Sequence, residues 1–137
     1  MRETTVHDCK IITLRNIHRN EGDLTVVESG IDVPFTTKRT YFLHNVPDGA
    51  SRGDHAHKEL KQLVIAIGGI FSVTLDDGKD RKTIRLTSPE EGLLIVPGIW
   101  RELYDFFEDA ICLVLASELY DEDDYIRDYT EFLNYKL

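Results

Sequence analysis

Apolar and polar residues alternate along much of the chain. In Ile70-Phe71-Ser72-Val73-Thr74-Leu75, Phe71, Val73 and Leu75 share one face, and Ser72 and Thr74 the other. That two-residue period is the mark of a strand buried on one side. Lys82-Thr83-Ile84-Arg85-Leu86 alternates likewise, whereas residues 110–116 are apolar on both faces and predict a central strand covered on both sides. Residues 9–14, 24–28, 40–45, 60–67, 92–96 and 101–106 are similarly rich in β-branched and aromatic side chains. Turn signals separate these runs: Pro47-Asp48-Gly49, Gly68-Gly69, Asp76-Asp77-Gly78, Ser88-Pro89 and Val96-Pro97-Gly98. Asp-Gly and Gly-Gly tolerate positive φ and favour tight hairpins. About nine short strands at this spacing predict an all-β sandwich or barrel. Near the end the period changes. Over residues 121–135, Tyr125, Ile126, Tyr129, Phe132 and Leu133 recur at helical spacing behind an acidic start, which predicts one short helix packing its aromatic side chains on the core.

Length and charge narrow the picture. A chain of 137 residues predicts a single domain over residues 1–137. The net charge of −9 argues against nucleic acid as a partner, which needs a basic field. The excess concentrates in Asp121, Glu122, Asp123, Asp124, Asp128 and Glu131, and a few local arginines suffice to hold one phosphate-bearing small molecule. Cys9 and Cys112 are far apart in apolar surroundings and are expected to be buried thiols. The N-terminal residues are polar and the apolar runs are strand-sized, so no membrane span and a cytoplasmic location are expected.

The chemistry concentrates in Gly49-Ala50-Ser51-Arg52-Gly53-Asp54-His55-Ala56-His57. On a strand, His55 and His57 project from one face and Ala56 from the other. Paired imidazoles serve either as metal ligands or as proton-transfer groups. The spacing is that of the first cupin motif, a glycine followed after five residues by His-x-His. The acidic ligand expected a few residues later is Gln62, an amide, and Gly69 lies beyond it. The second motif's turn is present as Gly92 and Pro97-Gly98, but Ile99-Trp100-Arg101-Glu102 follows without a histidine. Two imidazoles and an amide are a poor ligand set, so no metal and no other cofactor is expected, and the pair is read as an acid–base device.

The same residues carry a resemblance across nearly the whole chain. Val33-Pro34-Phe35, Lys38-Arg39-x-Tyr41-Phe42, Arg52-Gly53-x-His55-Ala56-His57-Lys58, Leu75-Asp76-Asp77-Gly78, Trp100-Arg101-Glu102-x-Tyr104-Asp105-Phe106 and Tyr120-Asp121-Glu122-x-Asp124-Tyr125-Ile126-Arg127 stand in the order of the sugar 3,4-ketoisomerases. The resemblance implies a cupin double-stranded β-helix, a jelly-roll barrel, with a short C-terminal helix. It implies conversion of a dTDP-linked 4-keto-6-deoxyhexose to its 3-keto isomer through an enediol, in a pathway toward cell-surface polysaccharide. It also implies a homodimer that exchanges an N-terminal strand. On this reading His55 and His57 shuttle protons, Tyr41 holds or protonates a sugar oxygen, and Arg52 stabilises enediolate or binds phosphate. Lys38, Arg39 and Arg101 are phosphate candidates, Trp100 a pocket wall, and Gln62 an orienting group for a histidine. One departure stands out: the family's Asp-x-Arg-Gly reads Arg19-Asn20-Glu21-Gly22 here, with Glu21 replacing the arginine. Either Arg19 reaches the same place or the grip on the nucleotide differs.

Two alternatives remain on the residues alone. A cupin epimerase uses similar groups to invert carbon stereochemistry beside the ketone. A non-catalytic sugar-nucleotide binding module retains the arginines and Trp100 without needing two adjacent histidines. Product analysis separates the first, and isotope exchange the second.

Overall fold

The computed structural model describes residues 2–137. The strands are β1 (Lys10–Thr13), β2 (Arg15–Arg19), β3 (Gly22–Val26), β4 (Arg39–Leu43), β5 (Arg52–His57), β6 (Gln62–Asp76), β7 (Arg81–Leu86), β8 (Glu91–Ile95), β9 (Trp100–Ala116) and β10 (Tyr125–Ile126). One α-helix, α1 (Tyr129–Lys136), closes the chain.

The spine is the antiparallel pair β6 and β9, in register from Gln62 opposite Ala116 to Asp76 opposite Trp100. Its two halves serve different neighbours. The Gln62 end of β6 pairs with β8, and the Ala116 end of β9 with β4. The Asp76 end of β6 pairs with β7, and the Trp100 end of β9 with β5. The strands redirect between these halves, where the register shifts three times between Ala66 and Ser72. The sheet thus curls on itself into the cupin double-stranded β-helix.

Gly69 makes the redirection feasible. Its φ is +62°, and a Cβ there would lie 2.4 Å from the Phe107 carbonyl oxygen. Opposite it, Glu108 and Asp109 take left-handed φ values of 59° and 53°. The pair Gly68-Gly69, expected to close a hairpin, therefore bulges within a continuous strand, and two predicted strands fuse into β6. The stretches predicted at 101–106 and 110–116 likewise fuse into β9.

Alternation then sorts the side chains. Val64, Phe71, Val73, Leu75, Leu103, Cys112 and Val114 fill the space between the two halves. Leu63, Ile65 and Leu94 face outward and are covered by Leu14, Val33 and Phe35. Against the β5 edge, Ala56, Trp100, Ile126 and Phe132 form a third cluster beneath α1. Both cysteines are buried and unbridged.

The helix is shorter than its spacing suggested. Residues 122–124 form a 3-10 turn capped by Asp121, and Tyr125–Ile126 pair with β5 as a strand. Asp128 caps α1, its carboxylate accepting from the Thr130 and Glu131 amides. The 125/126/129/132 recurrence is real, but a strand edge supplies its first two members. Strand β2 was not expected. It pairs only with β3, as a separate two-stranded ribbon whose side chains are largely exposed.

Candidate active site

Between the two halves opens a cavity of about 380 Å³. Strand β4 contributes Arg39 and Tyr41 to its wall, β5 contributes Arg52 and His55, β6 contributes Gln62, and β9 contributes Arg101. The C-terminal segment adds Tyr125 and Arg127, while Val64, Ile95, Leu103 and Val114 form the apolar floor. Four arginines line the cavity, and no Asp or Glu does. An acidic chain has concentrated positive charge at one concave place, which suits an anionic ligand.

The two histidines lie together, with ring centroids 4.8 Å apart and ring planes nearly perpendicular. Only His55 lines the cavity; His57 is 1% exposed and sits behind it, against Tyr125. His55 Nδ1 lies 2.7 Å from the Gly53 carbonyl oxygen. A carbonyl only accepts, so Nδ1 carries the hydrogen and Nε2 keeps its lone pair. A bulge between Gly53 and His55, with Asp54 at a φ of 52°, lets the ring bond back along its own strand. Burial, then the Arg101 charge, pushes His55 down to about 3. It is therefore neutral at pH 7 and competent as a base.

His57 is held from the other side. Its Nδ1 donates to Asp124 Oδ2 at 3.0 Å, and its buried Nε2 has no hydrogen-bond partner. The other Asp124 oxygen accepts from the Glu59 amide at 2.8 Å. Burial and the Arg101 charge keep His57 neutral despite the carboxylate. The 3-10 turn at 122–124 delivers Asp124, and the pairing of Tyr125 opposite His57 holds it there.

On the facing wall, Gln62 Nε2 donates to the Tyr41 hydroxyl at 3.1 Å, and Gln62 Oε1 accepts from Arg101 Nη1. The rest of the Arg101 fork bonds the Ile99 carbonyl at 3.1 and 3.3 Å. Arg101 is 2% exposed. Among the described residues no carboxylate pairs with it, so its charge acts on whatever fills the cavity. Arg39 is also unneutralised: its buried Nε and Nη2 have no hydrogen-bond partner, and its guanidinium lies 5.5 Å from the Tyr41 ring centroid.

The structure therefore brings Tyr41, Arg39, Arg52, His55, Gln62 and Arg101 to one cavity. Three expected residues fall elsewhere: His57 lies behind the cavity, and two more lie outside it. Lys38 is outside, bonding Glu118 at 3.3 Å. Trp100 is 6% exposed beneath α1, 5.3 Å from Tyr129 and 5.7 Å from Phe132. Strand alternation explains this, since Arg101 points inward and its neighbour must point out. Gln62 contacts Tyr41 and Arg101 rather than a histidine. Arg19 and Glu21 sit on the exposed β2–β3 ribbon and do not line the cavity. The sequence reasoning missed Tyr125, Arg127 and Asp124 as site residues. Their signal was present in the Asp124-Tyr125-Ile126-Arg127 motif, but the helical period hid its geometry. Arg127 stacks 4.1 Å over Tyr125 and grips Glu122 through two bonds of 2.6 and 2.9 Å.

The family model described as FdtA: WxcM-like, C-terminal matches residues 7–137. The chain belongs to this family. The chain is also similar to proteins named as sugar 3,4-oxo- or 3,4-ketoisomerases. A TDP-4-oxo-6-deoxy-alpha-D-glucose-3,4-oxoisomerase of Aneurinibacillus thermoaerophilus is 40% identical over 92% of this chain and 91% of its own. The sugar 3,4-ketoisomerase QdtA of Thermoanaerobacterium thermosaccharolyticum, solved in complex with TDP, superposes with a TM-score of 0.92 at 40% identity, covering 95% of each chain. The TDP-quinovose 3,4-ketoisomerase WlaRB of Campylobacter jejuni superposes with a TM-score of 0.89 at 43% identity, over 93% of this chain and 98% of its own.

Proposed function

We propose that the chain converts a TDP-linked 4-keto-6-deoxyhexose to its 3-keto isomer. One observation carries the reading: a neutral histidine with a free Nε2 faces a cavity ringed by arginines and free of carboxylates. The arginines suit a pyrophosphate, and the histidine suits carbon acid chemistry beside a ketone. The activities named for the relatives support the choice of substrate.

In the mechanism we infer, His55 Nε2 takes the proton from carbon 3, which the ketone at carbon 4 acidifies. The C–H electron pair becomes the double bond between carbons 3 and 4, and the carbonyl oxygen becomes an enediolate oxygen. Arg101 and Tyr41 stabilise that oxygen. Tyr41 supplies its proton to that oxygen, and the proton that the carbon 3 hydroxyl gives up as the ketone forms there restores Tyr41. The protonated His55 returns a proton to carbon 4, so atoms and electrons balance within the sugar. His57, buried behind the cavity and tied to Asp124, holds the His55 ring in place rather than meeting the sugar. Acid–base catalysis of this kind contributes on the order of a hundredfold to ten-thousandfold.

Proton NMR in heavy water tests the reading on purified enzyme with no metal or nicotinamide added. The ketone is expected to migrate, with deuterium entering at the shuttled carbon. His55→Asn should bind TDP and lose turnover. A variant with full turnover would remove His55 from the mechanism, and epimerised product without ketone migration would replace the reaction. We further propose a cytoplasmic homodimer with an exchanged N-terminal strand, serving deoxysugar synthesis for a surface polysaccharide. The exposed Ile17 and Leu24 on the β2–β3 ribbon support a partner there, and light scattering checks the dimer.

A further inference from the structure

We propose that Gln62 is a positioning residue that makes the Tyr41 hydroxyl a hydrogen-bond donor toward the cavity. The inference rests on the isomerase reading and deepens it.

The argument is one of donor and acceptor counting. A guanidinium has donors only, so the Gln62 atom facing Arg101 must be Oε1. Its Nε2 is then turned to Tyr41 and must donate to the hydroxyl, 3.1 Å away. The opposite amide orientation would set donor against donor where both Gln62 and Arg101 are 2% exposed. Having accepted from the amide, the Tyr41 oxygen has its own hydrogen left to place. Among the described residues Tyr41 has no other hydrogen-bond partner, and its side chain lines the cavity. The proton is therefore offered to the ligand. Burial raises the Tyr41 hydroxyl above the ordinary phenol range, so the proton is retained at neutral pH. The chain of donation runs one way: Arg101 to Gln62 to Tyr41 to the developing oxyanion.

A carboxylate at this position would reverse that direction. It would accept from both Arg101 and Tyr41 and consume the proton meant for substrate. Position 62 therefore demands an amide for a reason separate from packing.

The test is a double-mutant cycle with Gln62→Glu and Tyr41→Phe, read as kcat and KM for ketone migration. Each single variant is expected to lose about a hundredfold in kcat, the scale of one lost oxyanion donor. KM and TDP affinity should stay within about threefold of wild type, since the contact strengthens only in the transition state. The double variant should be no slower than Tyr41→Phe, because the hydroxyl through which position 62 acts is already gone. Should the carboxylate variant fail to fold, Gln62→Met carries the comparison, with a loss of about tenfold that disappears in the Tyr41→Phe background. A Gln62→Glu enzyme within about threefold of wild type in kcat, or single losses that multiply in the double variant, would overturn the proposal. A wild-type enzyme that moves no ketone would instead sink the isomerase reading, so the two failures are distinct.

Discussion

Acidification from pH 7 to pH 4 is expected to cost this fold stability at one identifiable ring. His55 in the unfolded chain takes up a proton near the ordinary imidazole value of 6.5, while the native ring resists until about 3. Between those values the unfolded state binds more protons, so stability falls as the pH falls. The contribution is complete above about pH 6.5 and is lost progressively toward pH 3. From 6.5 to 4 is two and a half pH units, and at about 1.4 kcal/mol each the loss is roughly 3 kcal/mol. His57 is lowered from the same ordinary value and adds a loss of the same sign. Asp124 opposes them, because burial raises its carboxyl and the native state takes up that proton more readily. Urea unfolding of wild type and His55→Asn at pH 7, 5.5 and 4, followed by Trp100 fluorescence, isolates the ring. Wild type should lose roughly 3 kcal/mol more than the variant over that range. Curves that fall in parallel to within about 0.5 kcal/mol would show that His55 is solvated like an unfolded imidazole. The argument for a desolvated, neutral base would then fail with it.

Three further outcomes follow from single contacts. Asp124→Asn leaves one acceptor oxygen for two donors, the His57 Nδ1 hydrogen and the Glu59 amide, and should cost about 1.5–3 kcal/mol in urea unfolding, with kcat lowered more than KM; an unchanged kcat would detach the histidine pair from its support. Arg39→Leu should weaken TDP binding by about tenfold or more in calorimetry, since two guanidinium nitrogens lack protein partners. Unchanged affinity would move the anion site elsewhere. Gly69→Ala should destabilise by about 3 kcal/mol or more, because the new methyl meets backbone at 2.4 Å and the residue holds a φ of +62°.

How much was legible depended on whether a signal was local. Alternation located the second half of β6 and β7 because each has one face in the barrel interior, while β9 showed itself through the run at 110–116 that is apolar on both faces. The His-x-His pair was legible for the same reason: period two puts both rings on one side and sends Ala56 to the other. The continuity of β6 through Gly68-Gly69 was not legible. A positive φ at Gly69 serves a hairpin or a bulge equally, and only the crowding by Phe107 and Ala110 distinguishes them. Strand β2 escaped because a ribbon with no buried face leaves little hydrophobic pattern. The Trp100 expectation failed by one residue of phase, since Arg101 took the inward position. Tyr125 and Arg127 were hidden because a two-residue strand is too short to show any period.

That last failure carries a physical point. The electrostatics of the histidine pair are not a property of β5 alone. His55 is deprotonated by burial beneath Tyr125 and beside Arg101, and His57 is oriented by Asp124, so the chemistry requires the C-terminal segment docked on the sheet edge. The docking depends on two backbone pairs, on Ile126 and Phe132 buried against Ala56, and on the Lys58 amide bonding the Asp124 carbonyl at 3.0 Å. An edge so lightly tied can part from the sheet at less cost than global unfolding. Its parting would wet both rings and free Arg127 from the cavity wall. The segment that keeps the base neutral is thus the one whose parting would return both rings toward the ordinary imidazole value, so the chemistry is only as persistent as that edge.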